Sequence, residues 1–281
     1  MGFAMARNLL KHGFRVNAWN RSFEKIEPLA AAGAELAETP AAAAGNADTI
    51  VTMVADGDAV TAAMEGDDGA LRTAGSESLW LQMSTIGEEA TAACMQLAGE
   101  HGLGFVDAPV LGTKQPAEAG ALVVLASGPD ELRGRAQPVF DAVGSRTLWL
   151  GDAGTGTLLK LVANSWIVAT VQGAAETIAL AERLGLDPER FFDAIADGPL
   201  DMDYLRIKGR AMIERNFEPS FSLRLAAKDA RLVEASADRR GMELPLVTTV
   251  RRQLEAAARD HGDDDLSATF LALAPTASAS R

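Results

Sequence analysis

Thr147-Leu148-Trp149-Leu150-Gly151-Asp152-Ala153-Gly154-Thr155-Gly156-Thr157-Leu158-Leu159-Lys160-Leu161-Val162-Ala163-Asn164-Ser165-Trp166-Ile167-Val168 is where the chain changes character. A short apolar strand, Thr147 to Leu150, runs into a glycine-rich turn. An apolar helical pattern then continues from about Thr155 to Leu184, stopped by Gly185 with Pro188 beyond. Before this stretch strand and helix signals alternate, which implies a mainly parallel sheet with helices on both faces. After it the strand signals cease. The expected fold class is a doubly wound α/β domain over residues 1–151, then an all-α domain over 152–275. A disordered tail is expected at 276–281.

The individual elements follow from periodicity and punctuation. Gly2 to His12 reads as an amphipathic helix with Gly13 at its stop, and Phe14 to Trp19 as the first strand. Helices are expected near Glu24 to Ala32 and from Thr39-Pro40, where Pro suits a first helical position. Thr49–Val54, Leu79–Met83, Gly104–Val110 and Ala121–Leu125 are further strands. After the long helix, helices are expected over Pro188–Ala196, Met202–Glu214, Leu223–Arg240 and Pro245–Asp260, with a short one near the C-terminus.

Composition narrows the function classes. The chain has 281 residues, enough for two cores, with 48% hydrophobic and 23% charged residues. A net charge of −13 argues against a nucleic-acid or anionic-membrane binder, so neither partner is expected. Cys94 is the single cysteine, so no intramolecular disulfide can form and a reducing cytoplasm is the natural location. Its Ala-rich neighbourhood gives it a packing role. Three histidines and one cysteine, none at ligand spacing, give no metal site. The long apolar helix is interrupted by Lys160, Asn164, Gln172 and Glu176, which suits a buried core helix rather than a membrane span.

Lys160 and Asn164 carry the chemistry. At i and i+4 they share one helix face, and an ammonium and an amide on a buried face are costly without partners or a substrate. A desolvated lysine moves toward a pKa that suits proton transfer. Alone, Lys160 could be a snorkelling side chain near a helix start. Asn20-Arg21-Ser22 ends the first strand, where a doubly wound fold meets the adenosine ribose of a dinucleotide. An acidic residue there would favour NAD, whereas Arg21 beside neutral Asn20 favours the 2′-phosphate of NADP. The bland reading of that tripeptide is a solvated turn.

Taken in order, these segments resemble the β-hydroxyacid dehydrogenase family, which includes 3-hydroxyisobutyrate dehydrogenases and the glyoxylate/succinic semialdehyde reductases. The resemblance runs from Met1-Gly2 to about Ala274. Met1-Gly2 looks like the end of the family's opening Gly-x-Gly-x-Met-Gly turn. Asn20-Arg21-Ser22, Met53-Val54-Ala55-Asp56 and Met83-Ser84-Thr85 are similar to its cofactor-facing segments. Asp107-Ala108-Pro109-Val110-Leu111-Gly112-Thr113, with Gly120-Ala121-Leu122 after it, resembles its substrate signature. Gly154-Thr155-Gly156 through Lys160 and Asn164 resembles its catalytic signature. Phe221 to Asp229 and His261 to Ala268 resemble its later motifs.

The resemblance implies a Rossmann-like first domain and hydride transfer between a nicotinamide and a small semialdehyde, 2-oxo acid or β-hydroxyacid. It implies Lys160 as proton donor and acceptor, and Gly112, Thr113 and Asn164 as substrate contacts. It implies Gly2, Asn20, Arg21, Ser22, Val54, Ala55, Thr85 and Lys228 as cofactor contacts, with Lys114 and Gln115 near the substrate. Ser84 and Thr85 could also be plain helix caps, and Asp107 a turn holder outside the catalytic set. NADP is expected over NAD, and the long helix is expected to pack on a second subunit in a homodimer or homotetramer.

Two departures stand out. The opening strand and the first two turn glycines are absent, as expected of an N-terminally truncated chain or a mis-assigned start, so poor folding or weak cofactor binding is expected. Leu111 replaces the family's usual serine, which would pass the carboxylate anchor to Thr113 or the Gly112 backbone. Three alternatives are an NAD-linked 3-hydroxyisobutyrate dehydrogenase, an imine reductase, which usually lacks the lysine, and an inactive binding protein.

Overall fold

The computed structural model describes residues 1–273; the tail expected at 276–281 lies outside them. The chain forms two compact units, Met1–Lys160 and Leu161–Arg281.

The first unit alternates strand and helix as expected. Its strands are β1 (Asn17–Ala18), β2 (Glu35–Leu36), β3 (Thr49–Thr52), β4 (Leu79–Gln82), β5 (Gly104–Asp107), β6 (Val110–Leu111), β7 (Leu122–Ala126) and β8 (Gly144–Trp149). Its helices are α1 (Gly2–Lys11), α2 (Glu27–Ala30), α3 (Pro40–Ala44), α4 (Gly57–Glu65), α5 (Gly87–Glu100), α6 (Lys114–Glu118) and α7 (Arg133–Val143). β3, β4 and β5 form a parallel three-stranded sheet. All four residues of β4 are buried, as befits a parallel strand covered on both faces.

The sheet is divided. β1 and β2 pair in parallel as a separate two-stranded sheet. In the doubly wound order 3-2-1-4-5-6 these hold places two and three, and β3 to β5 hold places four to six. The division therefore falls at place one of that order, which none of the described strands fills. α1 serves both sides. Its Met5 packs with Leu79, Leu81, Met83 and Val106, while Ala6 and Leu10 pack on Ala18, Ile26 and Leu29.

Three details depart from the sequence reading. The strand expected over Gly104–Val110 breaks at Ala108-Pro109, because Pro109 has no N–H for a ladder. Beyond the break, β6 pairs antiparallel with β7, and β7 is parallel to β8. The helix expected over Glu24–Ala32 is a 3-10 turn, Phe23–Lys25, followed by the single-turn α2. Glu35–Leu36 was not foreseen as a strand, since two residues that are exposed and half-buried carry no apolar run.

The long helix α8 (Thr155–Arg183) begins in the first unit and continues into the second. It is joined by α9 (Glu189–Ile195), α10 (Asp203–Ile213), α11 (Leu223–Asp238), α12 (Pro245–His261) and a 3-10 turn at Leu266–Ala272. Val168, Val171, Ala175 and Ile178 recur at helical spacing and pack with Phe192, Met212, Leu254 and Phe270. Lys208 is buried with Asp265, its Nζ donating to both carboxylate oxygens at 2.7 and 2.8 Å. Asp265 also accepts from Ser220, Phe221 and Ser267, so it ties the start of α11 to the turn after α12. The two late sequence motifs thus meet through this carboxylate.

Candidate active site

The first unit collects most of the expected cofactor residues at the C-terminal ends of parallel strands, where such sheets bind ligands. Gly2 opens α1 beside Met53, whose carbonyl oxygen would lie 3.5 Å from an added Cβ. Asn20 follows β1 and donates from Nδ2 to the Ser22 carbonyl at 2.8 Å, bending the chain around exposed Arg21. Ser22 leads into the 3-10 turn with no side-chain cap.

A buried amide holds the next two loops. Gln82 Nε2 donates to the Ser84 carbonyl at 2.8 Å, and Ser84 N–H returns a bond to Gln82 Oε1 at 2.8 Å. Thr52 Oγ1 joins from β3 and accepts from Trp80 Nε1 at 2.9 Å. Ser84 Oγ then accepts from Val54 N–H at 2.9 Å. This network fixes Val54, exposed Ala55 and half-buried Thr85 on adjoining strand ends. Sequence reading singled out Thr85; the structure gives the organising bonds to Gln82 and Ser84, and Gln82 had no motif to mark it.

The expected substrate turn follows β6. Leu111 is half-buried, and Gly112 has a φ of 115°, a left-handed value that L side chains avoid. A Cβ there would also stand 2.9 Å from Leu122. Thr113 starts α6 without a side-chain cap, so its hydroxyl makes no bond to the helix start. Lys114 and Gln115 are exposed.

The start of α8 is anchored in the first unit by residues that carried no catalytic expectation. Asp107, wholly buried at the end of β5, accepts from Thr157 N–H at 2.7 Å and from Thr157 Oγ1 at 2.8 Å. Ser127 Oγ accepts from Gly156 N–H at 2.9 Å and donates to Asp107 at 3.2 Å. Asp107 thus caps and holds a turn, as its position suggested. Burial raises its pKa to about 6, against the lowering effect of the Thr157 and Ser127 bonds. Lys160, three residues beyond Thr157, is buried.

The second unit brings Asn164 and Lys228 together through Asp229. Asn164 is 1% exposed and donates from Nδ2 to Asp229 Oδ2 at 2.8 Å. Lys228 Nζ lies 2.9 Å from Asp229 Oδ1. A carboxylate only accepts, so it fixes which way the amide points. Asn164 Oδ1 is left buried without a hydrogen-bond partner. Asn164 therefore offers an acceptor suited to a hydroxyl, with one of its two N–H donors committed to Asp229. Asp229 was visible in the Lys-Asp motif, but only the fold shows that it orients Asn164.

A dinucleotide is the group this kind of sheet implies. α1 opens without a side-chain cap, which leaves its first N–H groups suited to a phosphate. Asn20, Arg21 and Ser22 follow β1, where a sheet of this kind meets an adenosine ribose, and their polar side chains are of a type that would suit it. The phosphate cradle is represented, among the described residues, by the start of α1 alone. No group of three or more His, Cys, Asp or Glu among the described residues could hold a metal ion.

Comparison with known proteins agrees with this architecture. Residues 1–151 match the model of the NAD binding domain of 6-phosphogluconate dehydrogenase, and residues 154–273 match that of the NAD-binding region of NADP-dependent 3-hydroxyisobutyrate dehydrogenase. The chain is 31% identical over 274 residues to glyoxylate/succinic semialdehyde reductase 1 of Arabidopsis thaliana, covering 97% of this chain and 95% of that protein. The crystal structure of a 3-hydroxyisobutyrate dehydrogenase from Salmonella typhimurium is similar at a TM-score of 0.88 and 25% identity, covering 96% of this chain and 95% of the other. The Mycobacterium tuberculosis 3-hydroxyisobutyrate dehydrogenase with L-serine is similar at a TM-score of 0.86 and 27% identity, covering 97% and 95%.

Proposed function

Because the chain belongs to the β-hydroxyacid dehydrogenase family of NAD(P)-dependent dehydrogenases and reductases, we propose that it is an NADP-dependent reductase of a small semialdehyde or 2-oxo acid, with Lys160 as the proton donor. The observation that carries this is a buried lysine one helical turn from a buried amide whose oxygen has no partner. Similarity to the Arabidopsis reductase over nearly the whole of both chains supports the substrate class.

NADP, when bound, supplies or accepts the hydride. Lys160 Nζ gives a proton to the carbonyl oxygen as it becomes an alkoxide, and in oxidation it takes the hydroxyl proton. Once the alcohol has formed, Asn164 Oδ1 accepts from its hydroxyl, and the bond to Asp229 keeps that oxygen turned away from the carboxylate. Gly112 and Thr113 offer a backbone N–H and a hydroxyl to the substrate carboxylate. Arg21, exposed beyond the end of β1, meets a 2′-phosphate, while Gly2, Asn20, Ser22, Val54, Ala55 and Thr85 line the cofactor.

The test is Lys160→Ala. Its kcat should fall by about a hundredfold or more, with NADPH affinity by fluorescence titration changed by less than about threefold. Near-normal turnover with glyoxylate and succinic semialdehyde would disprove the assignment.

A cytoplasmic homo-oligomer is part of the same reading. By length and composition α8 could cross a membrane, but it carries buried Lys160, Asn164 and Gln172 and exposed Glu176. Val162, Trp166 and Leu180 are exposed along α8, with Leu184 just beyond its end, a stripe suited to a second copy. Light scattering after gel filtration decides this; a monomer at micromolar concentration would reject it.

A further inference from the structure

We infer that Asp107 is a positioning residue for Lys160: with Ser127 it sets the height and rotation of the first turn of α8. This rests on the proposed role of Lys160, and it adds a residue that itself has no part in proton transfer.

An α-helix starts with four N–H groups that its own turns cannot satisfy. In α8 the first intrahelical bond runs from Leu158 N–H to the Gly154 carbonyl at 3.1 Å, and three of the N–H groups before it have partners: Thr155 N–H donates to the Asp152 carbonyl at 3.2 Å. Gly156 and Thr157 instead donate outside the helix, to Ser127 Oγ and Asp107 Oδ2. Thr157 Oγ1 adds a second bond to Asp107 and lies 3.2 Å from Thr91 Oγ1 of α5. The first turn is therefore clamped to β5, to Ser127 just beyond β7, and to α5.

The approach is close. A Cβ on Gly156 would stand 2.2 Å from the Leu125 carbonyl and 3.1 Å from Asp107 Oδ2. Backbone meets backbone there, so the helix start has little freedom to shift. Asp107 and Ser127 are themselves locked, exchanging backbone bonds at 3.0 and 2.7 Å. Lys160 follows Thr157 by three residues and so rises from the same face. A rotation at Thr157 passes directly to the lysine.

A neutral Asn or Ser would cap a helix without burying a charge. Here a carboxylate is kept although burial raises its pKa. A carboxylate accepts on both oxygens at once, holding the amide and the hydroxyl of one residue, and it favours the positive end of the helix. That grip holds the turn at two points; an Asn would keep the bond to the Thr157 N–H, which fixes the helix start, and give up the one to the hydroxyl.

The experiment compares Asp107→Ala, Asp107→Asn, Ser127→Ala and Lys160→Ala in the full chain, with NADPH and succinic semialdehyde. Asp107→Ala should lose about tenfold or more in kcat, with KM for NADPH within about twofold, since an ångström of misplacement suffices for such a loss. Asp107→Asn, which keeps an acceptor for Thr157 N–H, should recover kcat to within about threefold. Unchanged kcat in Asp107→Ala, a parallel rise in NADPH KM, or no rescue by Asn would overturn the inference. Should Asp107→Ala fail to fold, Ser127→Ala carries the test: several-fold lower kcat supports it and an unchanged value overturns it. Near-normal turnover in Lys160→Ala overturns both this and the proposed function. An inactive Lys160→Ala beside a fully active Asp107→Ala overturns the positioning alone.

Discussion

Asn164 gives its amide nitrogen to Asp229 at 2.8 Å, and so presents its oxygen. The same carboxylate pairs with Lys228 at 2.9 Å. One buried aspartate thus orients two residues of the second unit. Asp229→Ala should free the amide to flip and leave Lys228 without its carboxylate. The expected result is about a tenfold to hundredfold fall in kcat/KM for the carbonyl substrate. Asp229→Asn, able to turn an oxygen toward Asn164, should lose less. Equal losses in the two variants would show that orientation of Asn164 is not what matters.

The proposed preference for NADP rests on Arg21, which is exposed beyond the end of β1 beside a neutral asparagine. Arg21→Asp removes the partner for a 2′-phosphate and supplies an acceptor for a 2′-hydroxyl. The ratio of kcat/KM for NADPH over NADH should fall by about tenfold or more, from charge reversal next to a phosphate. Steady-state kinetics with both cofactors decides it. A ratio that does not move would remove Arg21 from the cofactor site.

The buried Lys208–Asp265 pair offers a stability measurement independent of catalysis. Burial alone would raise the Asp265 pKa, but the Lys208 charge and hydrogen bonds with those of Ser267 and Ser220 outweigh it and hold the carboxyl at about 2. The folded value lies below the unfolded one, so the stabilisation is present above about pH 4. It is lost as pH falls toward about 2. Asp265→Asn should cost about 3–5 kcal/mol at pH 7, since it leaves Lys208 buried and unmatched. That deficit should shrink at pH 2.5. Urea titrations at both values test this, and a deficit that does not change with pH would contradict it.

Much of the fold could be read from pattern, because buried parallel strands such as Leu79–Gln82 and the glycine turn before Thr155 leave strong marks. Lys160 and Asn164 were legible as polar residues on an apolar helix. Three features were not. β2 has two residues and no apolar run, so local sequence held nothing to read. The break at Pro109 turned one expected strand into β5 and the antiparallel β6. Gln82, Ser127 and Asp229 act through partners 29 to 65 residues away, such as Thr52, Gly156 and Asn164. Their roles exist only after folding brings those partners close.

Asp107 has a stability signature as well as a kinetic one. Burial raises its pKa to about 6, and the Thr157 and Ser127 bonds only partly oppose this. Here the folded value lies above the unfolded one, near 3.9. The group's contribution is therefore most favourable below about pH 4 and is lost as pH rises through about 6. Folding is therefore less favourable at pH 8 than below pH 4 by at most about 2–3 kcal/mol, for a shift of about two units. Asp107→Asn carries no ionisable group and should not show that loss. Relative to the parent it should gain in thermal midpoint between pH 4 and pH 8, even though its kcat is somewhat reduced. Melting curves of both proteins across that range provide the check. Parallel midpoints at every pH would mean that the carboxylate is not strained by burial, and that a neutral cap would serve α8 equally well.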